Sequence, residues 1–410
     1  MNYDRKRIVI VGSGFAGVKA AMRLNSLVGD KAKVTLVSNT SHFEYHATLY
    51  RVASGCSPFE VCIPLSEIFL GSKVEIVKDA ILSIDTQNSC VSGKSGSLYH
   101  YDYLVLGLGS EAAFFNIDGV RENSYSFKNV SDALRLKKHL YESFKSCVVE
   151  DSMDNKKCSS HIVIVGGGAS GVELAGQMVD FCNQLAEEFH VDPTFLRIDL
   201  VESSDRILRN MSVEASEAAM RRLEDLGVNV ILGKSILKED LDTVYLQGSE
   251  IKAKTVIWTA GIVANPVLKT ATGFSFNNRG QVVVDDNLNP IGLNTIYVTG
   301  DAAATKYSGW AQTALYDGSF VAGKISDRIN RTSLNETYIP FEPLNYIPIG
   351  NKWALADYNG FIISGFFGWL FRRYFDLTVY MSLLPFDKAL KAFLSTWLDK
   401  DSCKTCKELE

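Results

Sequence analysis

Apolar and polar positions along this chain fall into blocks. A run of four apolar residues, Ile8-Val9-Ile10-Val11, stops at Gly12-Ser13-Gly14-Phe15-Ala16-Gly17 and gives way to a helix-like stretch over 18–24. A short apolar run closed by glycines reads as a buried strand, and the stretch behind it as a helix packed on that strand. The same succession returns at Ile162-Val163-Ile164-Val165, followed by Gly166-Gly167-Gly168-Ala169-Ser170-Gly171 and a helix running to about residue 189. Further strands are predicted at 33–38, 74–77, 80–84, 101–110, 197–201, 227–230, 255–261 and 295–303, with helices over 131–144 and up to 226. Strands that alternate with helices predict parallel sheets. The fold class is therefore α/β, with two Rossmann-like dinucleotide-binding domains, the second inserted in the first. Residues 1–122 and 290–345 are expected to form one domain, 123–289 the other, and 346–410 a C-terminal region.

The glycine spacing carries chemistry. Gly12 permits a tight turn, Gly14 lets a pyrophosphate approach the backbone, and Gly17 lets the helix pack on the strand, with Phe15 and Ala16 completing the loop. Gly166, Gly168 and Gly171 repeat these roles. An acid at the end of the following strand holds a ribose in such folds. Glu202 stands there in the second unit and favours NAD over NADP, because a carboxylate repels a 2′-phosphate. In the first unit the position is Ser38, then Asn39, a hydroxyl and an amide that can still hydrogen-bond a ribose. Small residues at Ala80, Gly109 and Gly261 allow close approach of a cofactor, and Gly300-Asp301 brings a carboxylate to a helix start. Residues 43–55 mix aromatic and polar groups with neither helix nor strand period, which predicts a ligand-facing loop.

Composition narrows the classes. At 410 residues, 46% hydrophobic and 22% charged, the chain suits two or three globular domains. A net charge of -5 argues against a nucleic-acid partner. No apolar signal stretch stands before the first strand, so cytoplasmic synthesis is expected. The eight cysteines are mostly unpaired in spacing and read as packing residues and free thiols, and no metal site is expected. Cys403 and Cys406, with two residues between them in a charged tail, are read as part of a flexible terminus.

Taken in order, the Gly12 loop, the 101–110 strand, the Gly166 loop and the Gly300-Asp301 pair resemble the two-dinucleotide flavoprotein oxidoreductases. Within that group the chain looks most like the type II NADH dehydrogenases, through Leu49-Tyr50-Arg51-Val52-Ala53-Ser54-Gly55, the Gly-Val-Glu-Leu-Ala-Gly run at 171–176, the stretch 256–266, and Ala311-Gln312-Thr313-Ala314. The resemblance implies FAD in the first domain, NADH as substrate on the second, and electron transfer to a quinone. It assigns Gly12, Gly14, Gly17, Gly109 and Asp301 to FAD, and Gly166, Gly168, Gly171 and Glu202 to NADH. Glu173 matches a glutamate near the reacting rings, and Gln312 matches the first glutamine of the quinone motif. The chain departs from that motif at Tyr316, where the second glutamine is replaced by a phenol. A soluble redox-protein acceptor, or a flavin-bearing redox sensor, stays open as an alternative. Disulfide chemistry needs cysteines spaced by four residues, whereas Cys56 and Cys62 have five between them.

From Phe361 the chain turns aromatic: Phe-Ile-Ile-Ser-Gly-Phe-Phe-Gly-Trp-Leu-Phe, then Arg372-Arg373 and two further apolar-rich stretches. No uncharged run reaches the roughly 20 residues that span a bilayer. Residues 361–398 are expected to form an amphipathic helical anchor on the membrane surface, with a core helix as the alternative reading. Arg372 and Arg373 are then expected to meet anionic head groups, and the segment to be removable without loss of the flavin fold. The expected location is peripheral, on the cytoplasmic side, and a homodimer is left open.

Overall fold

The computed structural model describes residues 5–148, 152–332, 336–358 and 360–394. Cys403 and Cys406 lie outside the described residues. The chain divides into two compact units, one comprising 1–45, 62–111 and 262–343, the other 46–61, 112–261 and 344–410. These boundaries differ from the expected ones. Residues 262–289 belong with the first unit, where the amide of Val282 bonds to the carbonyl of Ala302 and the amide of Ile84 to the Thr270 hydroxyl. The C-terminal region is not a separate layer but part of the second unit, as are residues 46–61.

The first unit is built on a five-stranded parallel sheet in the order Ile296–Val298, Tyr103–Leu106, Lys6–Val11, Ala32–Ser38, Glu75–Lys78. Ile8, Val9, Ile10 and Val11 are all buried, as expected for a parallel strand covered on both faces. The chain moves outward in one direction from the Lys6–Val11 strand and then returns to its other side. The crevice between Lys6–Val11 and Tyr103–Leu106 is therefore the topological switch point, where such sheets bind ligands. The helix Phe15–Val28 follows, and a three-stranded sheet, Ile81–Asp85, Cys90–Gly93 and Leu98–His100, is attached.

The second unit repeats the plan. Its sheet runs Tyr125–Ser126, Thr255–Trp258, His161–Val165, Arg197–Val201, Asn229–Ile231, all parallel, with its switch point between His161–Val165 and Thr255–Trp258. Helix Ala169–Glu188 follows the second glycine turn. The expected helical anchor, 361–398, of which 395–398 lie outside the described residues, begins instead as a strand of a sheet that includes residues before it. Asn345–Pro348, Ala354–Tyr358 and Phe361–Gly365 make an antiparallel sheet, and helices Phe366–Leu383 and Phe386–Leu394 follow. Gly365, at φ +80°, makes the strand-to-helix turn, and a Cβ on Gly368 would come within 2.2 Å of the Ala354 carbonyl oxygen. That close packing seats the helix on its own sheet. No helix among the described residues is long and apolar enough to cross a membrane.

Candidate functional site

The two glycine turns share one geometry. Gly12 has φ +102° and Gly166 φ +113°, and a Cβ would lie 2.2 Å from the Gly107 oxygen in the first case and 2.8 Å from the Ala260 nitrogen in the second. Only a glycine lets the turn pass that close to the neighbouring strand's end. Gly17 and Gly171 each leave just 1.9 Å between a would-be Cβ and the carbonyl oxygen of the first glycine, which seats the helix on its strand. The middle glycines are different. A Cβ on Gly14 or Gly168 would meet no atom within 4 Å.

These middle glycines are also the N-caps of the two helices, with nearly identical backbones, φ −75° and ψ −174° at Gly14 and φ −75° and ψ −177° at Gly168. Neither helix has a side-chain cap or an acid in its first turn. Each therefore offers bare N–H groups and the positive end of its dipole toward open space, which suits a diphosphate. Phe15 and Ala16 begin the first helix and are buried, Phe15 edge-on to Phe43 at 5.0 Å, so they pack the turn from within.

The strand-end residues separate the units. In the second, Glu202 accepts hydrogen bonds from the Gly167 amide at 2.6 Å and the Ser204 amide at 2.8 Å, which aligns its half-buried carboxylate with the glycine turn. Burial pushes that carboxyl up, but these bonds outweigh it and hold it below its ordinary value. In the first unit, Ser38 is buried and its hydroxyl lies 2.7 Å from that of Ser13, so it is spent on bracing the loop. The exposed Asn39 follows it. Ala80 is likewise engaged, its carbonyl accepting from the Lys94 amide at 2.8 Å. Gly109, at φ +68°, has open space where a Cβ would stand, whereas Gly261, at φ +93°, has Phe115 there at 2.7 Å.

Gly300 and Asp301 occupy the end of the Ile296–Val298 strand. Asp301 accepts from the Ser110 hydroxyl at 2.5 Å, which ties the turn after Ile296–Val298 to the segment that follows Tyr103–Leu106. Gly300, at φ +62°, donates its amide to Asp317 at 2.9 Å. Asp317 belongs to helix Ala311–Asn330, whose inward stripe is Thr313, Ala314, Asp317, Gly318, Val321, Ala322 and Ile325. Gln312 and Tyr316, one turn apart, are half-buried beside that stripe. The Tyr316 ring centre is 5.8 Å from each of those of Tyr338 and Phe341.

In the second unit, Glu173 stands in the second turn of the second glycine-turn helix. Burial pushes its carboxyl up to about 8, opposed by the Arg372 guanidinium and reinforced by Asp376. Arg372 is 3.6 Å away, too far for a hydrogen bond, because its donors go to Asp376 at 3.1 Å, the Tyr346 carbonyl at 3.0 Å and the Ala47 carbonyl. Arg373 reaches Glu60 at 2.8 Å, and Arg51 reaches the same carboxylate oxygen at 2.5 Å. Tyr380 donates to the Glu60 carbonyl at 2.6 Å. A cleft of about 1760 Å3 opens onto Tyr50, Arg51, Arg372 and Arg373.

This cluster corrects two expectations. Arg372 and Arg373 are buried within ion pairs and do not face outward to meet lipid head groups. The 43–55 stretch is not an open loop: Leu49–Ala53 is a short helix with Leu49, Tyr50, Val52 and Ala53 buried. Two groups escaped the sequence reading. Asp317 was detectable as an acid on the apolar stripe of its helix. The spacing of Gly368, Arg372, Asp376 and Tyr380, each four residues on, marked a polar inner stripe in an otherwise aromatic segment.

Two parallel sheets, each with a glycine turn at its switch point and an uncapped helix behind it, define a protein that holds two dinucleotides. The chain belongs to the pyridine nucleotide-disulphide oxidoreductase family, whose model matches residues 6–318. It is similar to the type II NADH:quinone oxidoreductase of Staphylococcus haemolyticus, with 28% identity over 374 residues, 88% of this chain and 90% of the relative. The enzyme of the same description from Staphylococcus aureus matches to the same extent. Among solved structures, the fold matches NDH2 from Plasmodium falciparum in complex with NADH at a TM-score of 0.86, with 18% identity, covering 98% of this chain and all of that one. It also matches the sulfide:quinone oxidoreductase of Aquifex aeolicus at 0.76, with 19% identity and 98% of each chain covered.

Proposed function

We propose that this protein is a type II NADH:quinone oxidoreductase, a flavoprotein that binds FAD in the first unit, oxidises NADH bound to the second, and passes the electrons to a quinone at a membrane surface. The observation that carries the reading is the duplicated cradle, Gly14 and Gly168 each capping a helix over open space, in a chain whose relatives are named for that activity. Bound FAD supplies the chemistry that links a hydride donor to an acceptor taking electrons and protons separately.

The chain's own residues do the rest. The Gly12–Gly17 turn and its helix hold the FAD diphosphate, Gly109 gives the cofactor room, and Asp301, oriented by Ser110, accepts from a cofactor hydroxyl. The Gly166–Gly171 turn holds the NADH diphosphate, and Glu202, kept ionised by Gly167 and Ser204, accepts from the adenosine ribose and repels a 2′-phosphate. Glu173, raised to about 8, is protonated at neutral pH and holds a proton at its carboxyl near the nicotinamide. Gln312 and Tyr316 present an amide and a phenol to the quinone.

Attachment to the membrane rests on the C-terminal helices. Phe361, Phe366, Phe367, Leu370, Phe371, Tyr374 and Phe386 are exposed, whereas Arg372, Arg373 and Asp376 of the same segment are buried. This inverts a soluble surface helix. Phe361 and Phe367 are each about 70% exposed, and a crowded apolar face of this kind marks a contact surface rather than a solvated one.

Purified protein should be yellow, should lose its flavin absorbance on mixing with NADH in a stopped-flow cell, and should regain it on adding a short-chain quinone. A colourless protein, or a reduced flavin that a quinone leaves reduced, overturns the proposal.

A further inference from the structure

Asp317 is a fully buried carboxylate one residue beyond the proposed acceptor residue Tyr316. Its two oxygens go to different places. One accepts the Gly300 amide at 2.9 Å, and the other accepts the Tyr338 hydroxyl at 2.7 Å. Gly300 holds a left-handed turn at φ +62° and is followed at once by Asp301, whose backbone oxygen is bound by the Gln281 side chain at 3.0 Å. Tyr338 lies 5.8 Å from Tyr316 and edge-on to Phe320 at 5.4 Å. The helix that carries Asp317 cannot slide to relieve these bonds. Gly318 is pressed onto the first glycine-turn helix, where a Cβ would stand 2.2 Å from the Ala16 oxygen.

A buried carboxylate is costly, and burial pushes Asp317 up to about 6 against both hydrogen bonds, with Asp301 pushing the same way. Both partners are donors, and a carboxylate can satisfy both at once while an amide would turn its NH2 toward one of them. We infer that Asp317 is a positioning residue, fixing the Gly300-Asp301 turn for the flavin with one oxygen and, through Tyr338, the ring of Tyr316 for the quinone with the other. The inference rests on the flavin and quinone reading above. It adds that one carboxylate sets both the cofactor turn and the acceptor wall, so that the two can be uncoupled by substitution.

The test compares Asp317→Asn and Tyr338→Phe with the unaltered protein, each checked for folding by circular dichroism. FAD affinity is read by refilling the flavin-stripped protein, the flavin midpoint potential by redox titration, and the two half-reactions separately. Tyr338→Phe is expected to leave FAD affinity and flavin reduction by NADH within about twofold, and to raise the quinone KM by about tenfold. Asp317→Asn is expected to weaken FAD binding by about tenfold as well, with a shifted midpoint potential. Unchanged FAD affinity in folded Asp317→Asn, or an unchanged quinone KM in Tyr338→Phe, overturns the inference while leaving the enzyme assignment standing. An unaltered protein that takes up no flavin overturns the assignment, and the inference with it.

Discussion

Arg373 donates to Glu60 at 2.8 Å across more than three hundred residues of sequence, and both side chains are buried. The segment that presents aromatic rings to the outside thus also supplies charges to the inside of the second unit. Arg51 holds the same carboxylate oxygen at 2.5 Å, so removing Arg373 takes one of two guanidinium partners from the buried Glu60, at a cost below the roughly 3 to 5 kcal/mol of a buried charge left with no partner. Arg373→Ala should lower the denaturation midpoint markedly, and truncation after Tyr358 should yield a misfolded chain, not a soluble enzyme. A truncated protein that melts cooperatively at the original temperature would show that the pair is dispensable.

Membrane attachment should depend on the exposed rings and not on Arg372 or Arg373. Replacing Phe361, Phe366, Phe367 and Leu370 together with serine removes side chains worth roughly 1.5 to 3 kcal/mol each on burial. The variant should keep its fold and its flavin and stay in the supernatant when neutral phosphatidylcholine vesicles are sedimented, while the unaltered protein pellets. Co-sedimentation of both proteins would move the contact surface elsewhere.

Nucleotide choice should follow Glu202, whose carboxylate is locked against the second glycine turn by the Gly167 amide. Glu202→Ala should narrow the preference for NADH over NADPH, measured as the ratio of kcat/KM values, by about tenfold or more through lost repulsion. Equal use of the two nucleotides by the unaltered enzyme would remove Glu202 from this role.

Glu173 should leave a signature in the pH dependence of stability. Its carboxyl is raised from 4.5 to about 8 in the folded protein, so the folded state binds the proton more tightly than the unfolded one. That contribution is fully present below pH 4.5 and is lost as pH rises through 8. Asp317 and Glu239, raised to about 6 and about 7 by burial, act in the same direction over narrower windows. The melting temperature of the unaltered protein should therefore fall relative to that of Glu173→Gln between pH 5 and 8.5. Parallel curves would mean that Glu173 is ionised in the fold at neutral pH.

What the sequence determined by itself is local. Val11 to Gly17 and Val165 to Gly171 could be read as strand, turn and helix because Gly12, Gly17, Gly166 and Gly171 each answer a close backbone contact within the turn or with the adjacent strand's end, while Gly14 and Gly168 leave open space for a diphosphate. Glu202 could be read because its place at a strand end follows from the same short unit. Gln312 and Tyr316 came to one helical face because four residues make about one turn. The fate of Arg372, Arg373 and Ser38 was decided by tertiary structure alone. A charge beside aromatic residues can face a head group or a buried acid, and only the position of Glu60 and Asp376, brought in from distant chain and from the next turn, chose the second. Ser38 sits where an acid would bind a ribose, but Ser13 lies 2.7 Å away and takes its hydroxyl. Asp317 shows the same limit, since its two partners come from segments separated by 38 residues and no local pattern links Gly300 to Tyr338. Short-range geometry is written in residue spacing, whereas the partner of a buried polar group is chosen by whichever distant segment the fold presses against it.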